Sequence, residues 1–200
     1  MEAQVFSCYR PCMRPVTSID IKEADLNSPV DQQAILDMVN AYSLDPMGNG
    51  APLSAEVKAA LIPGLRKHPT TLIFLAWEGG AGAGAAGDAT GAGAGAGAGA
   101  RAVGIAVCFL GFSTFAARPL VNIHDLSVLP THRGKGIGRM LLAEVERKAR
   151  SQGCCKLTLE VLENNVGARK LYRDVGFAPA VYQEAAGAAL FLAKQLTPKS

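Results

Sequence analysis

The sequence predicts an α/β domain built on a mixed, mostly antiparallel central sheet flanked by helices. Three observations carry this prediction. Two strand-like apolar runs, "TTLIFLAW" and "RAVGIAVCFL", face each other across one connection as a hairpin would. A third run, "PLVNIHDLSVL", leads through a glycine-rich stretch into a helical pattern and then into the alternating "KLTLEVL". The chain has 200 residues, 49% of them hydrophobic, which suffices for one core and would crowd two.

In chain order, "SIDIKEA" alternates as a first strand. Ser28 and Pro29 then supply an N-cap and a first helical position for a helix whose apolar residues Val30, Ala34, Ile35, Met38 and Val39 recur at helical spacing. "LDPMGNGAPL" ends it. Ser54 caps a second helix running to about Lys67, with Pro63 expected to bend it or end it early. Residues 79 to 100 are almost wholly Gly and Ala. They have little to bury and much backbone entropy to lose, so they read as a disordered insertion at the tip of the hairpin. After the glycine loop, Ile137, Met140, Leu141, Val145 and Ala149 share one helix face, and "SQG" stops that helix. "NVGARKLYRDVG" is a short helix, and "FAPAVY" with "AALFLAK" reads as a final strand pair. The expected organisation is an N-terminal extension over residues 1–16 and a single domain over 17–196.

Composition narrows the function. The net charge of +3 arises from scattered basic residues without a like-charge block, so no nucleic-acid partner is expected. The five cysteines include no C-x-x-C pair and no Cys/His ligand spacing, which favours free thiols in a reducing compartment and no metal. No stretch has the length and apolarity of a membrane span, so no membrane partner is expected and the protein reads as intracellular, cytoplasmic by default. Residues 2–17 carry Arg10 and Arg14 against one acid, Glu2, which leaves organelle import open.

The stretch "THRGKGIGRMLL" places Gly134, Gly136 and Gly138 where a strand passes into a helix. Unpaired amides at a helix start attract an anion, and glycine lets it come close, so phosphate is the natural guest. The P-loop pattern fails because Lys135 is followed by Gly136 rather than Ser or Thr. The dinucleotide fingerprint fails more narrowly, even with Glu160 placed as a ribose-binding acid. "LPTHR" separates strand from glycines, and too little chain remains for a doubly wound sheet.

A third loop fits better. Arg133 to Gly138 resembles the Q/R-x-x-G-x-G/A motif of the GCN5-related N-acetyltransferase family. Asn165, Ala168, Leu171, Tyr172, Gly176 and Phe177 match that family's second signature, N-x-x-A-x-x-L-Y-x-x-x-G-F, in the expected order. The resemblance implies an acyl-CoA N-acyltransferase fold and acetyl-CoA as co-substrate. It further implies that Leu126, Ser127 and Val128 pair with the pantetheine arm. Arg133, Gly134, Lys135, Gly136, Ile137, Gly138 and Arg139 would then hold the pyrophosphate, with Asn165 a helix cap and a cofactor contact.

Acyl transfer to an amine needs a neutral nitrogen, and an amine of pKa about 10 is only about one part in a thousand neutral at pH 7. A base is therefore sought. In "VNIHDLSV" unbroken alternation sets Asn122, His124 and Leu126 on one face and Ile123, Asp125 and Ser127 on the other, unless a bulge turns Asp125 inward. His124 matches a histidine of the aralkylamine-type members and is the candidate base, its competing reading being a hydrogen-bonded structural histidine. Asn122 falls where histone-type members carry a glutamate, so it is a substrate or water contact. Tyr172 reads as a core tyrosine by periodicity, and the resemblance makes it the proton donor to the departing thiolate. Cys108 sits in a strand core and is not expected to carry an acyl group.

Asp45, Phe112 and Phe115 are candidate acceptor contacts, each equally readable as a turn or packing residue. The expected activity is direct transfer of an acetyl group from acetyl-CoA to a primary amine in a ternary complex. The acceptor is more a small-molecule amine than a histone, and a homodimer stays open. The rival reading is a non-catalytic CoA-binding or regulatory module of the same fold. A nucleotide-binding oxidoreductase ranks third.

Overall fold

The computed structural model describes residues 18–79, 99–180, 185, 187 and 189–196. The expectations for residues 1–17, and for nearly all of the Gly/Ala insertion, lie outside the described residues.

Strand β1 (Ile19–Glu23) precedes helix α1 (Pro29–Ser43), whose N-cap Ser28 accepts from Asp31 N with Pro29 in the first helical turn. Helix α2 (Ala55–Lys67) is capped by Ser54, which accepts from Val57 N. Pro63 does not end it. The carbonyl deprived of its donor is that of Ala59, an exposed residue, so the lost bond does not leave a buried polar group. Strands β2 (Thr71–Glu78), β3 (Arg101–Ser113) and β4 (Arg118–Val128) follow. Then come a 3-10 turn (Pro130–His132), α3 (Ile137–Ser151), β5 (Leu157–Leu159) and α4 (Val166–Asp174).

The sheet order is β1-β2-β3-β4-β5. All neighbouring pairs are antiparallel except β4 and β5, which are parallel, giving the mixed sheet expected. Because Glu78 pairs with Arg101, residues 79–100 are the connection of the β2–β3 hairpin.

Alternation along β2 builds both cores. Ile73, Leu75 and Trp77 meet Ala34, Ile35 and Met38 of α1 and Ile62 and Leu65 of α2, while Phe74 and Ala76 meet Ile137, Leu141 and Val145 of α3 on the other face. Val30 and Met140 fall off their helices' buried stripes and are largely exposed. No helix among the described residues is long and apolar enough to cross a membrane.

Two strand expectations are corrected. "KLTLEVL" yields only Leu157–Leu159, and Val161 and Leu162 are exposed. Its ladder with β4 ends at Ile123–Leu159, and a strand without a partner does not persist. The final strand pair is absent from the described parts of 177–182 and 188–194, where Leu190, Phe191 and Leu192 are exposed. Pro179 offers no ladder donor and the Ala/Gly-rich stretch between the two runs has little to bury, so the apolar pattern alone does not hold a pair together. One bond, Ala189 N to Ala180 O at 3.3 Å, links the two runs.

Burial pushes the Cys108 thiol up to about 12 and the Tyr172 phenol up to about 12. Both groups hold their protons longer folded than unfolded. Their contribution is therefore complete below the ordinary thiol value near 9 and is lost as pH rises towards 12. Stability measured by urea unfolding is expected to fall by about 1.4 kcal/mol per pH unit above pH 9, and more steeply once tyrosine joins above 10. Cys108→Ala removes most of the fall between pH 9 and 10. An unchanged slope in that variant rejects the assignment.

Candidate functional site

Between β4 and α3 the chain makes a turn that glycine permits. Gly134 and Gly136 have φ of +75° and +83°, a region that costs other residues about 1 kcal/mol or more, and nothing stands within 4 Å of where a Cβ would be. Gly136 is the N-cap of α3 and no side chain caps that helix. The glycine amides and the first turn of α3 thus form an open, electropositive cradle. Gly138 serves differently: a Cβ there would lie 2.9 Å from Leu171 Cδ2, so its absence lets α3 approach α4.

The other wall is the edge of β4. Parallel pairing with β5 covers Val121 to Ile123 and stops, and beyond it the sheet opens into a cleft of about 730 Å³. Leu126, Ser127 and Val128 line one side, the loop from Arg133 to Arg139 closes one end without the Lys135 side chain, and Asn165 and Tyr172 of α4 stand opposite. Asn165 Oδ1 accepts from Ala168 N at 3.2 Å, so it does cap α4. Tyr172 is 9% exposed, its ring edge-on to Phe177 with centroids 5.8 Å apart. Its phenol is raised by burial and then by Tyr42.

Tyr42, from the last turn of α1, also lines the cleft and was not read from the sequence. It is half-buried, and its phenol is raised by burial, then by the Asp125 and Asp45 carboxylates. His132 is a second unread residue. It is buried, with Nε2 2.9 Å from Glu78 Oε2 and Nδ1 2.8 Å from Thr131 Oγ1, and so ties the glycine loop to the end of β2. A histidine beside a glycine motif is the signal available in the sequence, but its partner lies 54 residues away.

β4 departs from unbroken alternation. Val107 pairs with Asp125 and Cys108 with Ile123, which leaves His124 as the extra residue of a β-bulge. Asp125 is thereby placed opposite Val107 on the α1 side, and Leu126 joins Ile123 on the α3 side, correcting the face assignment made by alternation. His124 Nδ1 lies 3.3 Å from Asp125 Oδ1, with the two side chains 64% and 23% exposed. The His124 ring stands edge-on to Phe109, itself edge-on to His68.

Neither His124 nor Asp125 is among the residues that line the cleft, and none of the remaining candidates is brought to it as a free contact. Asn122 donates to Thr158 Oγ1 at 3.2 Å and ties β4 to β5. Phe112 and Phe115 lie at the β3–β4 turn, mostly exposed and about 25 Å of strand from Ser127. Asp45 lines the cleft, but the Arg133 guanidinium pairs with it and holds its carboxyl below the usual range. Arg133 Nε also donates to Val128 O at 3.0 Å. Cys108 is fully buried. Among the described residues no three His, Cys, Asp or Glu side chains cluster in a way that could hold a metal ion.

Comparison with known proteins gives the family and the fold. The family model described as "Acetyltransferase (GNAT) family" matches residues 53–177. A streptothricin acetyltransferase from Streptomyces lavendulae is 43% identical over 70 residues, 35% of this chain and 37% of that protein. A thialysine N-epsilon-acetyltransferase from Bos taurus is 35% identical over 74 residues, 37% of this chain and 43% of that protein. A [ribosomal protein bS18]-alanine N-acetyltransferase from Haemophilus influenzae is 38% identical over 56 residues, 28% of this chain and 38% of that protein. The chain thus spans about two fifths of the length of these curated relatives. Among solved structures, AAC(6')-Iy in complex with the bisubstrate analog CoA-S-monomethyl-acetylneamine superposes with a TM-score of 0.60 at 16% identity, covering 90% of this chain and all of that one. At that identity, what the two share is the fold.

Proposed function

The chain belongs to the GNAT acetyltransferase family, and from that premise we propose that it moves the acetyl group of acetyl-CoA directly to a primary amine, with both substrates bound at once. The observation that carries this reading is that a single cleft unites the uncapped, glycine-cradled start of α3, the open edge of β4 and the buried phenol of Tyr172. Two relatives are named for streptothricin and thialysine, which supports a small-molecule acceptor. A third is named for an alanine of a ribosomal protein, which favours a peptide N-terminus as the second reading.

The residues fit the donor. The cradle at Gly134 and Gly136 is open to an anion and sits at the positive end of a helix, and the unpaired stretch of β4 offers backbone groups to an extended amide-bearing arm. The diphosphate would rest on the amides from Gly134 to Arg139, and the pantetheine would lie along Leu126, Ser127 and Val128. Acetyl-CoA supplies the activated acyl group as a thioester.

This chain's own groups supply the rest. Tyr172 holds its proton at every physiological pH and donates a hydrogen bond to the departing sulfur. His124 accepts the amine's proton through water, a neutral imidazole offering a free ring nitrogen as acceptor. Asp125, 3.3 Å from Nδ1, steadies the imidazolium so formed and attracts the incoming ammonium towards the α1 side of β4. Burial of Ser127 and Tyr172 limits water at the acyl end.

Calorimetry with acetyl-CoA, followed by turnover on a panel of small amines, amino acids and peptide N-termini, tests the reading. Absence of binding overturns it, and binding without turnover on any amine points to the non-catalytic module. Gly136→Val forces a β-branched residue away from φ +83° and swings the cradle amides aside. Its acetyl-CoA affinity is expected to drop at least about tenfold by calorimetry, with unfolding still cooperative. Retained affinity would move the diphosphate elsewhere.

A further inference from the structure

Arg133 and Asp45 are 88 residues apart in sequence and line the same cleft, one from the glycine loop and one from the turn after α1. The guanidinium is committed to protein on both sides: Nε donates to Val128 O at 3.0 Å, and a terminal nitrogen pairs with Asp45 Oδ2. Asp45 is itself built into its turn. Its Oδ1 accepts from Met47 N at 2.9 Å, its amide donates to Tyr42 O at 3.0 Å, and its carbonyl accepts from Gly48 N at 2.8 Å. The turn folds back on α1 so tightly that a Cβ at Gly48 would lie 2.1 Å from Tyr42 O. Tyr42 and residues 45–48 therefore move as one piece, and Arg133 fastens that piece to the end of β4. The Asp45 side chain is only 9% exposed, so its charge depends on this partner.

We propose that Arg133 and Asp45 form a clasp that fixes the turn after α1, and with it Tyr42, against the start of the donor loop. Arg133 is then a positioning residue for the amine side of the site. The diphosphate is left to the glycine amides, and the Asp45 carboxylate, already neutralised, does not receive the amine. This rests on the acetyltransferase reading for its link to an amine, while the clasp itself is tested without turnover.

The variants are Asp45→Asn, Arg133→Gln and the two together. Hydrogen exchange of ligand-free protein is expected to speed up about tenfold or more over residues 44–48 in each variant. Acetyl-CoA affinity by calorimetry stays within about twofold, the KM for the best amine of the panel rises about five- to tenfold, and the double variant is no worse than either single one. The clasp is overturned if exchange is unchanged. It is also overturned if Arg133→Gln weakens acetyl-CoA about tenfold while Asp45→Asn does not, which makes Arg133 a diphosphate ligand, or if Asp45→Asn tightens acetyl-CoA. A wild-type chain that acetylates no amine overturns the activity, and exchange and affinity still decide the clasp.

Discussion

Tyr172→Phe is expected to lower kcat about a hundredfold while acetyl-CoA affinity changes less than about threefold. The substitution deletes one oxygen and keeps the ring, so the edge-on packing against Phe177 and the fill of the core on the α3 side survive. The hydroxyl is lost from a buried wall of the cleft, where the proposed mechanism has it face the departing sulfur. A free thiol has a pKa of about 8.5, well below the value of about 12 that burial and Tyr42 give the phenol. Complete transfer of the proton is therefore uphill, and the phenol acts by hydrogen-bonding the developing charge. Because it stays protonated far above neutrality, kcat of the wild type should show no loss attributable to this group between pH 8 and about 10, where an ordinary tyrosine begins to ionise. Stopped assays under saturating donor measure kcat and its pH profile, and calorimetry measures the affinity. An unchanged kcat, or affinity lost in step with rate, removes the assignment.

Asp125→Asn should lower kcat/KM for the amine about a hundredfold at pH 7, with acetyl-CoA binding unaffected. The amide is the same size as the carboxylate and keeps hydrogen-bonding capacity, so what disappears is charge. In the proposed mechanism that charge faces the His124 ring at 3.3 Å and draws an ammonium to the α1 side of β4. The deficit has a direction in pH. As pH climbs towards the amine's own pKa, about 10 for a lysine-like acceptor, the nucleophile becomes neutral unaided and the variant should regain ground on the wild type. A deficit that stays constant from pH 7 to 9.5 would instead mark Asp125 as a structural residue of the bulge.

The caps and the glycine loop were legible because their physics is local. Ser28 and Ser54 accept from amides three residues on, Asn165 does the same for α4, and the conformations of Gly134 and Gly136 need no distant partner. The second signature, from Asn165 to Phe177, sits on one short helix and its exit, so the helix and its Asn165 cap were legible in it. What failed was assembled over distance. Alternation along β4 assumes one residue per rung, and the rung skipped at His124 is set by pairing with Val107 and Cys108 on another strand. Tyr42 was not singled out, because the cleft it lines is completed by residues 126 and beyond, far from it in sequence. Asp45 and Arg133 were each singled out, but their pairing across 88 residues has no local signal. The strand pair at the end was read from apolar pattern alone, and pattern does not provide a partner.

The short ladder between β4 and β5 has a consequence for self-association. Unpaired strand edges usually lie at the rim of a sheet, where another chain can dock alongside and extend it. Here the edge of β4 that faces away from β3 is open from His124 to Val128, because β5, the last strand of the sheet, stops at Leu159, and Asn165 and Tyr172 of α4 line the cleft so formed. A thin, unbranched arm with amides of its own can lie along such an edge, whereas an added strand would also have to fit side chains on both faces. A helix facing the open edge thus suits the backbone groups of β4 to a slender guest.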